Sequence, residues 1–223
     1  MQNIKNYMEK EVPMLMLCHI LFLIYLLKIF DVSTLYNDNL DMVELLITIL
    51  NSTIFSSILY ILTIILDGTI SSVSKDNLLY LFRLCKKPGE NVFSEIKTKD
   101  NDSRFTYCDI KKKYSHIYDN MPQEKKVRYK YENKEWYKIY SKYREQSMVF
   151  YSQREYLMFR DMYILNILLT IIYILFSYCF NLISFDIRYV LYLVVFIIIF
   201  NIVARKKAKR FVFNVIAIDV EKQ

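Results

Sequence analysis

The hydrophobic positions of this chain gather into four long runs, and most charged positions lie between them. Pro13 to Ile29 is the first run, with His19 inside it and Lys28 near its end. Leu45 to Leu66 carries no charge, and Met162 to Phe185 is uncharged until Asp186. Ile187 to Ala204 is broken only by Arg188 at its start. A bilayer core of roughly 30 Å takes about 20 apolar residues in a helix. Each run therefore predicts a membrane span. Buried core helices are the rival reading, but a chain of 223 residues has little soluble core in which to hide four such stretches. The first run also lacks the small-residue cleavage site of a signal peptide.

The charges between the runs predict the topology, because Lys and Arg stay on the cytoplasmic side. The connection 31–41 has three Asp and neither Lys nor Arg. The segment 67–161 carries 20 Lys and Arg against 14 Asp and Glu, and "RKKAKR" opens the end of the chain at Arg205. The expectation is an all-α membrane protein with four transmembrane helices as two hairpins and a helical cytoplasmic domain inserted between them. Its parts are an N-terminal transmembrane hairpin (1–66), a basic helical cytoplasmic domain (67–161), a C-terminal transmembrane hairpin (162–204) and a basic cytoplasmic tail (205–223). Both termini and the middle segment are expected on the cytoplasmic side.

Within the inserted segment, Leu78, Leu81, Phe82 and Cys85 share a helical face that Pro88-Gly89 terminates. That helix either lies at the lipid surface, with Lys86 and Lys87 toward headgroups, or packs on its own domain. Ile110, Tyr114, Ile117 and Tyr118 suit a helix started by Thr106 or Asp109. From Pro122 to the end no Gly or Pro occurs. The segment 122–160 therefore reads as one helix running unbroken into the third span. Trp136, Tyr140 and Tyr143 follow one side of it. With Arg144 they form the candidate surface for a cytoplasmic protein or a small signalling ligand. The same basic, Tyr-rich stretch could meet nucleic acid through phosphates and stacked bases. Glu124, Glu132, Glu135 and Glu145 interrupt it, so helix-surface ion pairs are favoured over that reading. Arg205, Lys206, Lys207, Lys209 and Arg210 are the candidate contacts to anionic lipid.

Polar residues recur inside the runs. Thr48, Ser52 and Ser56 fall every four residues in the second, and Asn166, Thr170, Ser177 and Asn181 mark the third. Polar atoms facing lipid lack partners, so these stripes should turn inward and form the candidate bundle lining. Either they pack helices closely through small and hydroxylated side chains, or they line an aqueous path. One four-span protomer is too small to enclose such a path, so that reading requires a homo-oligomer.

Composition narrows the chemistry. Hydrophobic residues make up 54% and charged residues 24%, with a net charge of +7. Two glycines and three prolines favour long helices and speak against a Gly-rich nucleotide fold. Cys18, Cys85, Cys108 and Cys179 form no CxxC pair. The N-x-S/T matches at Asn51 and Asn101 fall in a span and on the cytoplasmic side, where such a motif is chance. No HExxH, GxSxG, P-loop, GxGxxG or paired-carboxylate motif occurs, and His116 stands without a second histidine, Cys pair or spaced carboxylates nearby. The expectation is a protein that is not an enzyme and takes no cofactor or metal.

The stretches "PGENVFSEIKTKDNDSRFTY", "YSHIYDN", "NKEWYKIYSKYRE" and "REYLMFRDMY" resemble a family of small, uncharacterised bacterial multi-pass membrane proteins, over roughly residues 85–165. Some members lie beside anti-phage defence genes. The resemblance implies a membrane-effector or sensor role and transfers no catalytic residues. The functional expectation is an oligomeric membrane effector or sensor subunit whose cytoplasmic domain is coupled to the bundle. The alternative is a non-conducting membrane anchor or scaffold for a cytoplasmic partner.

Overall fold

The computed structural model describes residues 4–26, 42–81, 86–98, 102–179 and 184–222, apart from some α2 side chains. Among these residues there is no strand, and the α-helices are α1 (Glu11–Leu26), α2 (Met42–Thr69), α3 (Ser72–Leu79), α4 (Val92–Thr98), α5 (Tyr107–Lys113), α6 (Ser115–Asp119), α7 (Lys125–Tyr143), α8 (Ser147–Tyr178) and α9 (Ile187–Glu221). The chain divides into two compact units. An apolar unit comprises Lys5–Lys75 and Arg160–Asn201; a charged unit comprises Met1–Ile4, Asp76–Phe159 and Ile202–Gln223.

In the apolar unit the helices bury one side and leave large apolar side chains exposed on the other. On α1 Met16, Ile20 and Leu23 are buried while Met14, Leu17, Leu21 and Tyr25 are exposed. On α2 Leu59 is buried, and Leu50, Ile54, Ile58, Ile61 and Ile65 are exposed. On α8 Leu165, Leu169 and Tyr173 are buried while Ile171, Ile174 and Leu175 are exposed; on α9 Tyr189 and Leu193 are buried while Leu191, Val195 and Ile198 are exposed. Soluble monomers rarely leave apolar surface this extensive in water. Among the described residues two helices, α8 and α9, are long and apolar enough to cross a membrane. The end of α2 and α3 form a pair bent by 100°, which makes a third candidate if taken as one broken span. The bend has a local cause. Ser71 caps α3 by accepting from the Ser74 N–H at 3.1 Å, which starts a new helix in a new direction. As described, α1 has 16 residues and is about 24 Å long.

The charged unit has its own core. Val92, Phe93 and Ile96 of α4, Ile110 of α5, Ile117 of α6, Trp136 and Ile139 of α7, and Val149 of α8 pack with Phe211 to Ile218 of α9. Phe105 stacks on Phe213 with centroids 6.0 Å apart. Thr106 caps α5 and Asp109 bonds back to the Thr106 N–H at 2.9 Å, so the two proposed starters of this helix act together. Gly89 sits where a Cβ would lie 2.8 Å from Asn133 Oδ1 and 3.3 Å from the Trp136 ring, which lets the turn Pro88–Glu90 press onto α7. Glu132 is buried and accepts from the Ser94 N–H at 3.0 Å and from the Ser94 hydroxyl, tying α7 to α4.

Three expectations are corrected. The segment 122–160 is not one helix: α7 ends at Tyr143 and α8 starts at Ser147, with no Gly or Pro at the break. The Tyr140 hydroxyl bonds Gln153 Oε1 at 2.9 Å, although thirteen residues of straight helix would separate them by about 20 Å. Folding back is what lets α7 and α8 share a core. Residues 205–223 are not a tail, because α9 continues to Glu221 and buries Phe211 to Asp219. The helical face from Leu78 onward is interrupted: α3 ends at Leu79, and Leu81 is exposed with φ of 48°. Phe82 and Cys85 lie outside the described residues.

Burial raises the Glu132 carboxyl above its ordinary value of 4.5, against the pull of the Ser94 bonds. A group that binds its proton more tightly when folded adds stability below its unfolded pKa and loses that contribution as pH rises through the folded value. Glu132→Gln cannot ionise. The variant is therefore expected to gain stability relative to the native chain as pH rises from 4.5 toward neutrality. Thermal unfolding of the full chain in detergent across that range checks this; parallel profiles would contradict it.

Candidate functional site

The densest chemistry in the apolar unit is a set of buried charges beside its apolar stretches. Asp67 follows the uncharged run of α2 directly, and Arg160 and Asp161 of α8 directly precede the apolar run from Met162. Lys75 comes from α3 and Tyr7 from a 3₁₀ turn at Asn6–Met8. All five are buried, with Asp161 only 1% exposed. Lys75 Nζ bonds Asp67 at 2.7 Å and lies 3.7 Å from Asp161. Arg160 donates to Asp161 Oδ1 through Nε at 3.2 Å and a terminal nitrogen at 3.0 Å, and to the Ser72 hydroxyl at 2.9 Å. The Tyr7 hydroxyl donates to Asp161 Oδ2 at 2.7 Å. Asp67 Oδ1 has no partner among the described residues.

The set is neutral overall, with two cations against two carboxylates. Its arrangement does not suggest catalysis, because every group except Asp67 Oδ1 is occupied in holding another. What it can do is fasten. It pins the end of α2, the bend into α3, the entry to the apolar part of α8 and the N-terminal turn to one another. Nothing in the sequence spacing brings positions 7, 67, 75 and 161 together. The available signal was the placing of Asp67 and Asp161 at the limits of two uncharged runs.

The charged unit offers a second feature. A cleft of about 450 Å³ has Lys113, His116, Glu135, Lys138, Lys142 and Asp219 among its lining residues, with Lys138 paired to Glu135 at 2.6 Å. That volume is in the range of small-molecule sites. Asp219 accepts from Lys113 at 3.3 Å and from the Tyr114 hydroxyl. Burial and the neighbouring carboxylate raise the Tyr114 phenol well above its ordinary range, so it stays a donor at neutral pH. His116 is exposed on the rim. Among the described residues no group of three His, Cys, Asp or Glu side chains is placed to hold a metal.

The residues singled out from the sequence are placed differently from one another. Trp136 is 8% exposed and donates from its indole nitrogen to the Val212 carbonyl at 3.3 Å, so it is a core residue and not a docking surface. Tyr140 stacks on Trp136 at 5.4 Å. Tyr143 lies beneath the Lys222 ammonium at 5.2 Å, and Arg144 is exposed in the break before α8. None of the four lines the cleft. Asn166 and Thr170 are turned back onto their own helix, bonding the Met162 and Asn166 carbonyls at 2.8 and 2.7 Å. Ser177 is buried and its hydroxyl has no partner among the described residues. The side chains of Thr48, Ser52 and Ser56, and the whole of Asn181, lie outside the described residues. Of the basic run, Lys207 pairs with Glu155 at 2.8 Å and Lys209 with Glu95 at 2.5 Å, Arg205 is half-buried, and Lys206 and Arg210 are exposed.

Comparison with protein-family models, curated proteins and solved structures finds no match. The class stands on the chain's own features: an all-helical protein with, among the described residues, two helices long and apolar enough to cross a membrane.

Asp161→Asn keeps an acceptor for Tyr7 but leaves two buried cations facing one carboxylate. Breaking a buried ion set in this way costs about 3–5 kcal/mol. The expected outcome is a large fall in thermal stability and in membrane level, while Asp186→Asn, which loses the pair with the exposed Arg188 but keeps an acceptor for the Arg188 N–H, changes neither. Trp136→Ala is expected to cost about 3–5 kcal/mol through a core cavity, whereas Arg144→Ala leaves unfolding where it is. Equal, small effects of these two substitutions would return Trp136 to the surface.

Proposed function

We propose that this chain is a multi-pass protein of a bacterial inner membrane that acts as an oligomeric membrane effector or sensor subunit. In this reading α1, α2, α8 and α9 cross the bilayer as two hairpins, and the charged unit lies in the cytoplasm with both termini. One observation carries it. Four helices expose large apolar side chains in the apolar unit, and two of them, α8 and α9, also contribute to the core of the charged unit. A signal received by the charged unit therefore acts on helices that are the same covalent rods as the apolar bundle. We assign reception to the cleft at Lys113, His116, Lys138 and Lys142, whose size suits a small ligand and whose three lysines outnumber its two carboxylates, Glu135 and Asp219. A place in anti-phage defence rests on the family resemblance alone.

The alternative is a non-conducting anchor or scaffold, and one observation favours it. The Asn166 amide nitrogen and the Thr170 hydroxyl donate within α8, which suits packing and asks no water of these two donors.

Reporter fusions after Tyr36, Asn120 and Lys222 are expected to report outside, inside and inside. A periplasmic signal at Asn120 would remove the basis of the cytoplasmic assignment. Effector and scaffold then separate on Ser177. In a background lacking the four native cysteines, Ser177→Cys is expected to react with a membrane-impermeant thiol reagent only under activating conditions. Thr170→Leu with Ser177→Leu is expected to block depolarisation without lowering membrane levels. A thiol that never reacts, with no depolarisation on expression, would leave the scaffold reading standing. Lys138→Glu with Lys142→Glu is expected to abolish triggering while preserving the fold, since both side chains are exposed.

A further inference from the structure

The basic run after the apolar part of α9 contains a built pocket. Arg205, the first residue after Ala204, lies over the Tyr80 ring with its guanidinium carbon 5.7 Å from the centroid. Lys209 is one turn further on and holds Glu95 at 2.5 Å. With Lys86, Pro88 and Asn91 they line a pocket of about 240 Å³. Lys86 reaches in from the turn before α4, its ammonium 4.9 Å above the Tyr129 ring. Three cations thus face one carboxylate, and that carboxylate is already engaged by Lys209. Arg205 Nε and one terminal nitrogen are buried and meet no acceptor among the described residues. Guanidinium donors out of water without an acceptor are costly. Their planar fork matches the oxygens of a phosphate. The pocket is smaller than a typical site for a drug-sized molecule, which suits one phosphate group better than a whole nucleotide.

We propose that this pocket binds a phosphate group, carried either by an anionic lipid headgroup or by a soluble phosphate. Arg205 supplies the planar donors by turning its buried nitrogens into the pocket, Lys86 supplies charge, and Lys209 is shared with Glu95. The lipid source rests on the reading above that α9 crosses the membrane, because its apolar stretch ends at Ala204 and headgroup depth begins there. The phosphate chemistry itself does not depend on that reading.

The test uses the full chain purified in detergent. In one arm inorganic phosphate is titrated against chloride at constant ionic strength, and thermal unfolding is followed. In the other, the chain is equilibrated with vesicles of phosphatidylcholine containing phosphatidylglycerol, extracted, and examined for retained lipid by native mass spectrometry. The expected result is saturable stabilisation by phosphate, or retention of phosphatidylglycerol over phosphatidylcholine, in the native chain. Lys86→Gln alters an exposed side chain and leaves the fold intact. It is expected to weaken half-saturation or retention about tenfold, as loss of one charge-assisted bond implies. Arg205→Gln is expected to weaken it further. Preferential lipid retention with no effect of free phosphate identifies the headgroup as the source. Stabilisation by phosphate without lipid preference identifies a soluble phosphate. No saturable effect in either arm, or native-like binding by both variants, overturns the proposal. A fusion at Lys222 reporting outside would remove the basis of the lipid arm and leave the phosphate arm standing.

Discussion

The burial of Asp67, Lys75, Arg160 and Asp161 is the constraint around which the apolar unit is arranged. Taking four charges out of water costs more than their mutual attraction returns unless the geometry is good and the remaining hydrogen-bonding positions are filled. Here they nearly are, by Tyr7 and Ser72, with one oxygen of Asp67 left over. Apolar residues of similar volume would hold these segments together with less desolvation. The charges do what apolar residues cannot: they accept one arrangement only. A slip of α8 by one residue would bring Met162 to the position of Asp161 and leave Lys75 without its second partner. The bend between α2 and α3 depends on the same set, because Lys75 reaches back across it to Asp67.

Helices α8 and α9 each serve two environments with one periodicity. In α9 the same rod carries exposed Leu191, Val195 and Ile198, then the half-buried Arg205, then an almost completely buried run from Phe211 to Asp219. An amphipathic helix has one apolar stripe, but this one changes what its faces meet along its length. That change explains why the basic run is not simply a solvated flank. Lys207 and Lys209 are drawn to Glu155 and Glu95 because the helix beyond them is anchored in a core. The basic run that follows the apolar stretch and the tertiary ion pairs thus use the same residues.

Helicity was legible from the scarcity of Gly and Pro, and the two helices long and apolar enough to cross a membrane from runs of suitable length. The capping pair Thr106 and Asp109 was visible as well, because a capping box is local. The break at Arg144–Gln146 was not, since no residue there disfavours a helix; it follows from long-range packing that places Tyr140 against Gln153. Trp136 looked like a surface aromatic because its neighbours are charged. A lone tryptophan on a polar helix points inward wherever a partner such as Val212 offers an acceptor. The run "FVFNVIAI" was available as a signal that α9 continues into a core, but the basic cluster before it disguised the run as part of a tail. The ion set and the cleft were illegible for one shared reason: they join positions far apart in sequence.

The polar stripe of α8 bears most directly on what the bundle does. The Asn166 amide nitrogen and the Thr170 hydroxyl donate to carbonyls four residues back, so neither of these donors requires a neighbouring subunit or water. A stripe satisfied in this way stabilises close packing and gives no driving force for opening. Asn166 Oδ1 and the Ser177 hydroxyl are different: both are buried and meet no partner among the described residues. Unpaired polar atoms in an apolar setting carry a penalty that any new donor or a water would remove. The α8 stripe therefore combines a satisfied part, which resists rearrangement, with an unsatisfied part, which would gain from it. In the scaffold reading the unsatisfied atoms are a tolerated cost. In the effector reading they favour a second arrangement, in which a neighbouring subunit or water completes them, and the signal at the charged unit has only to tip a balance already loaded by Asn166 and Ser177.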